Sequence, residues 1–218
     1  MSKIARKRLY VGLMCFSTLY LLYIVYFNFI YDPQASVFLG HKGDQVHEVR
    51  QSLWIAVLHG HILFACLALL SGAYNFFTKQ KQAYRMIHRW NGYLYFISVF
   101  LVSLSSGYMA PYSTGGRVNS IVFNLINIIW PLFTLIAVIM IRRKQVIDHQ
   151  RWMIRSYSFC FTNSIIHLLT FISTMLGGSY TLSYTVGVYG ALIMNLLIPE
   201  LVIRYIIHLP RQRNKRVS

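Results

Sequence analysis

The stretch LWIAVLHGHILFACLALLSGAYNFF, residues 53–77, contains no Asp, Glu, Lys or Arg. As an α-helix rising 1.5 Å per residue it would extend about 37 Å, which exceeds the ~30 Å hydrocarbon core of a bilayer. Backbone polar groups in lipid can only satisfy one another, so an apolar run of this length is typical of a transmembrane helix. The stretch therefore predicts an integral membrane protein.

Other apolar runs in the chain are also long enough to cross a membrane. The predicted spans are residues 9–30, 53–77, 91–112, 121–141, 153–176 and 184–207. An outer-membrane barrel would instead alternate apolar and polar residues over short segments, and that pattern is absent. We therefore predict an all-α fold, a polytopic bundle of six transmembrane helices that forms one membrane domain over residues 1–218, with helices two to five as its core.

The composition agrees with a lipid environment. The 218 residues are 56% hydrophobic and have a mean hydropathy of +0.49, values typical of membrane proteins. The 21 Lys and Arg outnumber the 5 acidic residues, but a nucleic-acid-binding protein would collect them on one soluble face. Here they lie in short bands between apolar runs. We expect the lipid bilayer as partner and no nucleic acid.

These basic bands predict the orientation of the chain. Of the Lys and Arg, 17 fall in four alternate gaps, at residues 3–8, 79–89, 142–155 and 211–216. The other gaps contain only Lys42, Arg50 and Arg117. Positively charged loops are retained in the cytoplasm. We therefore expect a multi-pass protein of a bacterial plasma membrane with both termini in the cytoplasm.

Four histidines are predicted to form two tiers. His149 and His167 are eighteen residues apart, which is five turns of an unbroken helix and about 27 Å along its axis. They should share a face, with one imidazole near each membrane surface. His61 lies near the outer end of the second helix, and His88 precedes the third. The outer tier is then His61 with His167, and the inner tier is His88 with His149.

Helical spacing predicts that both histidine-bearing faces look into the bundle. His61 begins a stripe of small residues, Ala65, Ala68 and Gly72, which would admit a close helix or a flat ligand. The fifth span carries a polar stripe at the same kind of spacing: Ser156, Cys160, Asn163, His167, Thr170 and Thr174. Polar side chains at membrane depth are costly and normally face the interior.

Such a layout is typical of b-type haem ligation, because the flat macrocycle takes one axial imidazole from each of two facing helices. The cofactor-binding residues of this hypothesis are His61, His88, His149 and His167, and two tiers would relay electrons across the membrane. A quinone or a lipid headgroup could occupy the same positions. In the structural alternative, His167 hydrogen-bonds Asn163 or a neighbouring helix, and the inner pair lies among headgroups.

Charged residues near the inner surface suggest further sites. Arg89, Arg151 and Arg155 accompany the inner histidines and could bind an anionic group or a lipid headgroup. Glu200 is the only acidic residue well inside a predicted span, where a carboxylate can be a proton carrier, an ion site or a counter-ion. The simpler interpretation is an ion pair with Arg155 or with Arg204, one turn away.

Four strings resemble a family of bacterial predicted membrane proteins catalogued as a domain of unknown function. They are HILFACLALLSGAYNF (61–76), HRWNGYLYFISVF (88–100), HQRWMIRSYSF (149–159) and NLLIPELVIR (195–204). Together they define the patterns HRxxGxxY and HxRWMxRS. The resemblance covers roughly residues 55–205 and implies membership, with matches that include His61, His88, His149 and Glu200, but it implies no particular activity.

The resemblance also carries two implications for function. At the position of His167 the family pattern looks more like arginine, which cannot be an ordinary haem ligand. This implies that an outer haem would not be a family-wide feature. The family is also similar to small bacterial membrane proteins linked to the maturation of respiratory haem-copper oxidases. That similarity implies a respiratory complex as a partner and an assembly role as the alternative function.

Motifs of other chemistry are absent from the sequence. It has no Gly-rich phosphate loop, CxxC, GxSxG or HExxH, so no enzymatic reaction is assigned. No dedicated metal site is expected, because the cluster His41, Asp44, His47 and Glu48 is more typical of a solvated loop. The leading hypothesis is an electron carrier that binds b-type haem or quinone. The alternatives are a non-enzymatic assembly factor and a small transporter that uses Glu200.

Overall fold

The computed structural model describes residues 3–40, 50–77 and 85–207, which form eight α-helices and their connections. These are α1 (Lys3–Val25), α2 (Ser36–Gly40), α3 (Gln51–Phe77), α4 (Arg85–Met109), α5 (Arg117–Arg142), α6 (Val146–Ser158), α7 (Thr162–Met175) and α8 (Tyr180–Ile207). A π-helical turn extends α1, and 3₁₀ turns follow α4 and α6. Within the described ranges there is no β-strand.

Six helical segments are long and apolar enough to cross a membrane, which confirms the predicted all-α fold with six spans. They are Met14–Tyr31, Gln51–Phe76, Arg85–Tyr112, Arg117–Arg142, Val146–Met175 and Tyr180–Tyr205. The last four begin several residues before the predicted apolar runs. Their first turns are polar or basic, so hydropathy alone does not assign those turns to a helix, although their backbone hydrogen bonds do.

Spans that are neighbours in sequence pack against each other, and the last span also packs against earlier ones. α3 packs along α4, α5 along α6 and α7 along α8, while α8 also contacts α5 and α6. α1 lies outside this core, against α3. We call the end where α3 and α5 finish and α4 and α6 begin the basic end, since Arg85, Arg89, Arg142 and Arg143 lie there.

A 3₁₀ turn in the fifth span lies beside a proline in the sixth. A 3₁₀ turn at Phe159–Phe161 separates α6 from α7. Across from it, Pro199 lies inside α8, and its missing N–H leaves the carbonyl of Asn195 without a helical donor. Ser158 Oγ donates to that carbonyl at 2.9 Å, and Asn195 Nδ2 donates to Thr162 Oγ1 at 2.8 Å. Side chains of α8 and of the residues around the 3₁₀ turn therefore satisfy each other's polar groups.

The first two spans are joined through a capped turn at the opposite end of the bundle. Asp32 accepts hydrogen bonds from the backbone N–H groups of Ser36 and Val37, both at 2.9 Å, and from the Ser36 hydroxyl at 2.6 Å. These bonds satisfy donors at the start of α2 and hold the pKa of Asp32 below its usual value. Leu39 of α2 packs against Trp54 of α3, which is buried. The cap therefore fixes the first span to the second.

Candidate functional site

The inner histidines occupy the first turns of two helices at the basic end. His88 lies on α4 and His149 on α6, each half-buried, and they are close enough for their charges to interact. His149 Nδ1–H donates to the backbone carbonyl of Ala137 on α5 at 2.8 Å. In the neutral imidazole this bond keeps the proton on Nδ1 and sets the direction of the ring. An orienting carbonyl of this kind is typical of histidines that ligate metal.

Two of the three arginines proposed to bind anions are held in ion pairs. Arg151 Nη1 lies 2.9 Å from Asp148 Oδ1, one helical turn away. Arg155 donates to both carboxylate oxygens of Glu200, from Nε at 2.6 Å and from Nη2 at 3.1 Å. Arg89 instead is exposed, and its Nε donates to the hydroxyl of Tyr93 at 3.2 Å.

The Glu200 pair links α8 to α6 and agrees with the structural interpretation of this carboxylate. Its partner Arg155 also lies over the Trp152 ring, 4.6 Å from the centroid. A bidentate pair with a stacked guanidinium has a defined geometry. The Glu200 side chain is 46% exposed, so its negative charge remains partly solvated. Of the two cations expected as partners, Arg155 makes the contact, although Arg204 also acts on Glu200 through its charge.

A closed loop of hydrogen bonds lies about 10 Å deeper than His149, at seven residues along α6. Thr134 Oγ1 donates to the Trp130 carbonyl at 2.9 Å, so the Ser156 hydroxyl donates to Thr134, at 2.7 Å. Tyr95 then donates to Ser156 at 2.7 Å, and Trp130 Nε1 donates to Tyr95 at 3.5 Å. Every hydroxyl proton is used, and the loop ends at a carbonyl, which has no proton to pass on. The loop therefore joins α4, α5 and α6. It does not provide a path for proton transfer.

The stripe of small residues on α3 is filled by aromatic side chains of the protein itself. A Cβ on Gly72 would lie 2.4 Å from Tyr157 Cδ2 and 3.1 Å from Tyr95 Cε2. Tyr157 also donates to the carbonyl of Leu69 at 3.1 Å, and Ala68 is fully buried. The sequence pattern predicted that a close helix or a flat ligand would lie against this stripe. The structure shows tyrosine rings there instead of a macrocycle.

His61 lies beyond this stripe and contacts α4. Its Nδ1 is 3.0 Å from Ser105 Oγ. Because Ser105 directs its own proton to the Leu101 carbonyl at 2.8 Å, the imidazole is the donor. His61 is thereby held by a hydroxyl of the neighbouring helix.

His167 lies on α7 with its side chain exposed, as does Asn163 one turn before it. The prediction that His149 and His167 share a face required an unbroken helix. The 3₁₀ turn at Phe159–Phe161 changes the rotation per residue. Along the predicted polar stripe, Ser156 and Thr170 are buried, whereas Asn163, His167 and Thr174 are exposed.

Several residues with structural or site roles carried no signal in the sequence. Thr134 belongs to no motif, Tyr157 lies in the string 149–159 but outside its pattern HxRWMxRS, and the Ala137 carbonyl is invisible to side-chain patterns. The role of Ser158 could have been predicted in part, because Pro199 has no N–H and leaves a backbone carbonyl without its helical donor. The predicted outer cluster of His41, Asp44, His47 and Glu48 lies outside the described residues.

Comparison with known proteins identifies a family for this chain. The family model described as Predicted membrane protein (DUF2306) matches residues 58–203, which run from α3 to α8. No curated protein and no solved structure shows a significant match. Because the matched region covers well over half of the chain, this protein belongs to the family of predicted membrane proteins described as DUF2306.

Proposed function

We propose that this protein is a membrane electron carrier that binds b-type haem at its basic end, between His88 and His149. The observation that carries the proposal is that His88 and His149 lie in the first turns of α4 and α6 at the same end of the bundle, with the His149 ring oriented by the Ala137 carbonyl. Two imidazoles from different helices at one depth are the protein ligands that haem b requires. The haem itself would supply one-electron chemistry, and the chain would set its position and solvent access.

Charges near the pair support an anionic cofactor at this end. Arg89 hydrogen-bonds Tyr93 on the surface of α4, and Arg142 lies close enough to act on Tyr93 through its charge. Haem propionates are carboxylates, and guanidinium groups bind carboxylates in a defined geometry. The same cations would also attract anionic lipid, so the distinguishing property of the proposed site is the imidazole pair.

The outer tier supports no second haem in this proposal. His61 donates to Ser105, and the space beside Gly72 is occupied by the Tyr157 ring. The transporter alternative also loses support, because Glu200 is engaged by Arg155 through two hydrogen bonds. No contact of the described residues favours an assembly role over electron transfer.

A reduced-minus-oxidised optical spectrum of the full-length protein tests the proposal. Expressed with haem supply and purified in mild detergent, the protein should show the α and Soret difference bands of low-spin haem b. His88→Ala and His149→Ala should each remove them. His59→Ala is the matched control, because His59 stacks on Phe29 at 4.8 Å and should leave the bands unchanged.

Three results would count against haem at this pair. One is a wild-type protein, folded and supplied with haem, that shows no difference bands. Another is a band that survives both His88→Ala and His149→Ala. A band that responds to His61→Ala instead would move the cofactor to the outer tier and contradict the proposed location.

A further inference from the structure

Two polar side chains are exposed on α7 where the fifth span crosses the membrane. Asn163 and His167 lie one helical turn apart, within the span Val146–Met175, and both are exposed. Among the described residues, His167 has no hydrogen-bond partner. An imidazole N–H facing hydrocarbon without an acceptor is costly. A ligand that accepts hydrogen bonds would remove this cost.

Aromatic rings of α1 and of the 3₁₀ turn flank these donors. Tyr20 accepts a hydrogen bond from Asn163 Nδ2 at 3.3 Å, so α1 lies directly beside this face of α7. Phe16 stacks on Tyr20 with centroids 6.1 Å apart, and its ring centroid is 6.2 Å from that of Phe161. Stacked rings beside hydrogen-bond donors are suited to a planar ligand that is itself partly polar.

The surroundings require an uncharged ligand. Residues 9–31 of the first span, 52–77 of the second and 162–175 of α7 contain no Asp, Glu, Lys or Arg. An anionic headgroup or a haem propionate would find no counter-charge here, in contrast to the basic end. The ligand must therefore be neutral, accept hydrogen bonds and dissolve in lipid.

Access from the bilayer is open at α1. The helix lies against α3, and much of its surface faces outward, including Phe16, Leu19 and Tyr23, each at least 52% exposed. A ligand with a long apolar tail could therefore bind with its head beside α7 and its tail in lipid.

We propose that the lipid-exposed face of α7 beside α1 binds the headgroup of a quinone, with His167 and Asn163 as hydrogen-bond donors to its carbonyl oxygens. This inference rests on the proposed electron-carrier function, for which a quinone or quinol is the lipid-soluble redox partner. This face and the basic end are separate sites with separate ligands, so each can fail without the other.

Equilibrium binding of tritiated decylubiquinone to the full-length protein in lipid nanodiscs tests the site. The wild-type protein should bind saturably. His167→Leu and Asn163→Leu should each raise Kd roughly tenfold, the effect of losing one hydrogen bond of about 1.4 kcal/mol. His167→Gln, which keeps an N–H donor, should raise Kd by a smaller factor. Asn124→Leu is the matched control, because Asn124 is an exposed asparagine of α5 and its loss should leave Kd unchanged.

A second measurement does not depend on variants. A photoreactive azidoquinone cross-linked to the wild-type protein should label peptides from residues 9–31 or 162–175. Labelling confined to other segments would overturn the proposal, as would non-saturable binding or a Kd that His167→Leu and Asn163→Leu leave unchanged. Intact quinone binding in a protein that lacks haem bands would instead retain this site and reject the haem. Haem bands without quinone binding would support the haem at the basic end and reject the quinone site.

Discussion

Ser158 Oγ lies 2.9 Å from the carbonyl oxygen of Asn195, the acceptor that Pro199 leaves without its helical N–H. Ser158 also lies 2.8 Å from the Arg155 carbonyl, so two carbonyls share one hydroxyl proton. A hydroxyl at the end of α6 thereby completes the hydrogen bonding of α8.

This relationship predicts a coupled pair of substitutions. Ser158→Ala should destabilise the protein by roughly 1–3 kcal/mol, since a buried carbonyl then lacks a donor. In a Pro199→Ala background, where residue 199 supplies its own N–H, the same change should cost clearly less. Unfolding by SDS in mixed micelles measures all four proteins of the cycle. Equal costs of Ser158→Ala in both backgrounds would contradict the replacement of the missing donor by Ser158.

The close contact of α7 and α8 predicts that replacing Gly187 by a larger residue destabilises the protein. A Cβ on Gly187 would lie 2.7 Å from the Ile166 backbone carbonyl oxygen and 2.6 Å from Thr170 Oγ1. Because the Ile166 backbone can move only with its helix, Gly187→Ala should cost about 1–3 kcal/mol. Gly60→Ala is the control, since a Cβ there meets nothing within 4 Å. The comparison requires only the SDS midpoints of the two variants, and a similar midpoint for both would refute the close packing.

The buried hydroxyl loop predicts non-additive effects. Tyr95→Phe and Thr134→Val should each lower stability by roughly 1–3 kcal/mol, because each leaves a buried partner unsatisfied. The double variant should lose less than the sum, since the two residues act in one network. Ser98→Ala is the control: its hydroxyl is buried on α4 without a hydrogen-bond partner among the described residues, and its loss should be nearly neutral. Strict additivity in thermal unfolding would argue against a closed loop.

The cap at Asp32 predicts a specific dependence on pH. Its hydrogen bonds to Ser36 and Val37 hold the pKa below the usual value, so the ionised form is the one that stabilises the fold. The contribution, about 1 kcal/mol for an N-cap, should be complete above the ordinary Asp pKa of about 3.9. It should disappear as the pH falls through the lower folded-state value.

Thermal unfolding of the wild type and of Asp32→Ala checks this dependence. The gap between their midpoints should be constant from pH 7 to pH 5 and should close in stronger acid. Asn28→Ala is a suitable control, because the Asn28 side chain donates to the Ile24 carbonyl at 2.9 Å and does not titrate. If the difference between the two midpoints instead grew in acid, ionised Asp32 would not be the stabilising form, and the cap would be excluded as the cause of the difference.

Orientation is predicted from charge and is open to a direct measurement. With 17 Lys and Arg in the basic bands and 3 in the alternate gaps, the basic end should lie in the cytoplasm. A green fluorescent protein fused after α8 should fluoresce, and alkaline phosphatase inserted in the connection at residues 176–179 should be active. The opposite pair of results would place the basic end outside and move the proposed haem to the other surface.

The sequence by itself determined the number of spans, the family and the positions of the two histidine motifs. Long apolar runs leave the backbone no partner but itself, and this forces helices whatever surrounds them. The sequence predicted His88 and His149 near the same membrane surface but outside the apolar runs, and the backbone of the folded chain places both inside the first turns of α4 and α6. The Arg155–Glu200 pair was among the expected contacts because few partners exist for a carboxylate within a span.

The tertiary structure decided which side chains meet. The small stripe at Gly72 admits any flat group, and only packing shows that the group is Tyr157. The shared face of His149 and His167 assumes continuous 3.6-residue periodicity and stays a prediction, and only the structure reveals the 3₁₀ turn at Phe159–Phe161 between them. Helical spacing is local, whereas breaks are stabilised by distant partners such as Asn195 and Pro199. For that physical reason the contacts of the histidines, unlike the helices that carry them, could be seen only in the folded chain.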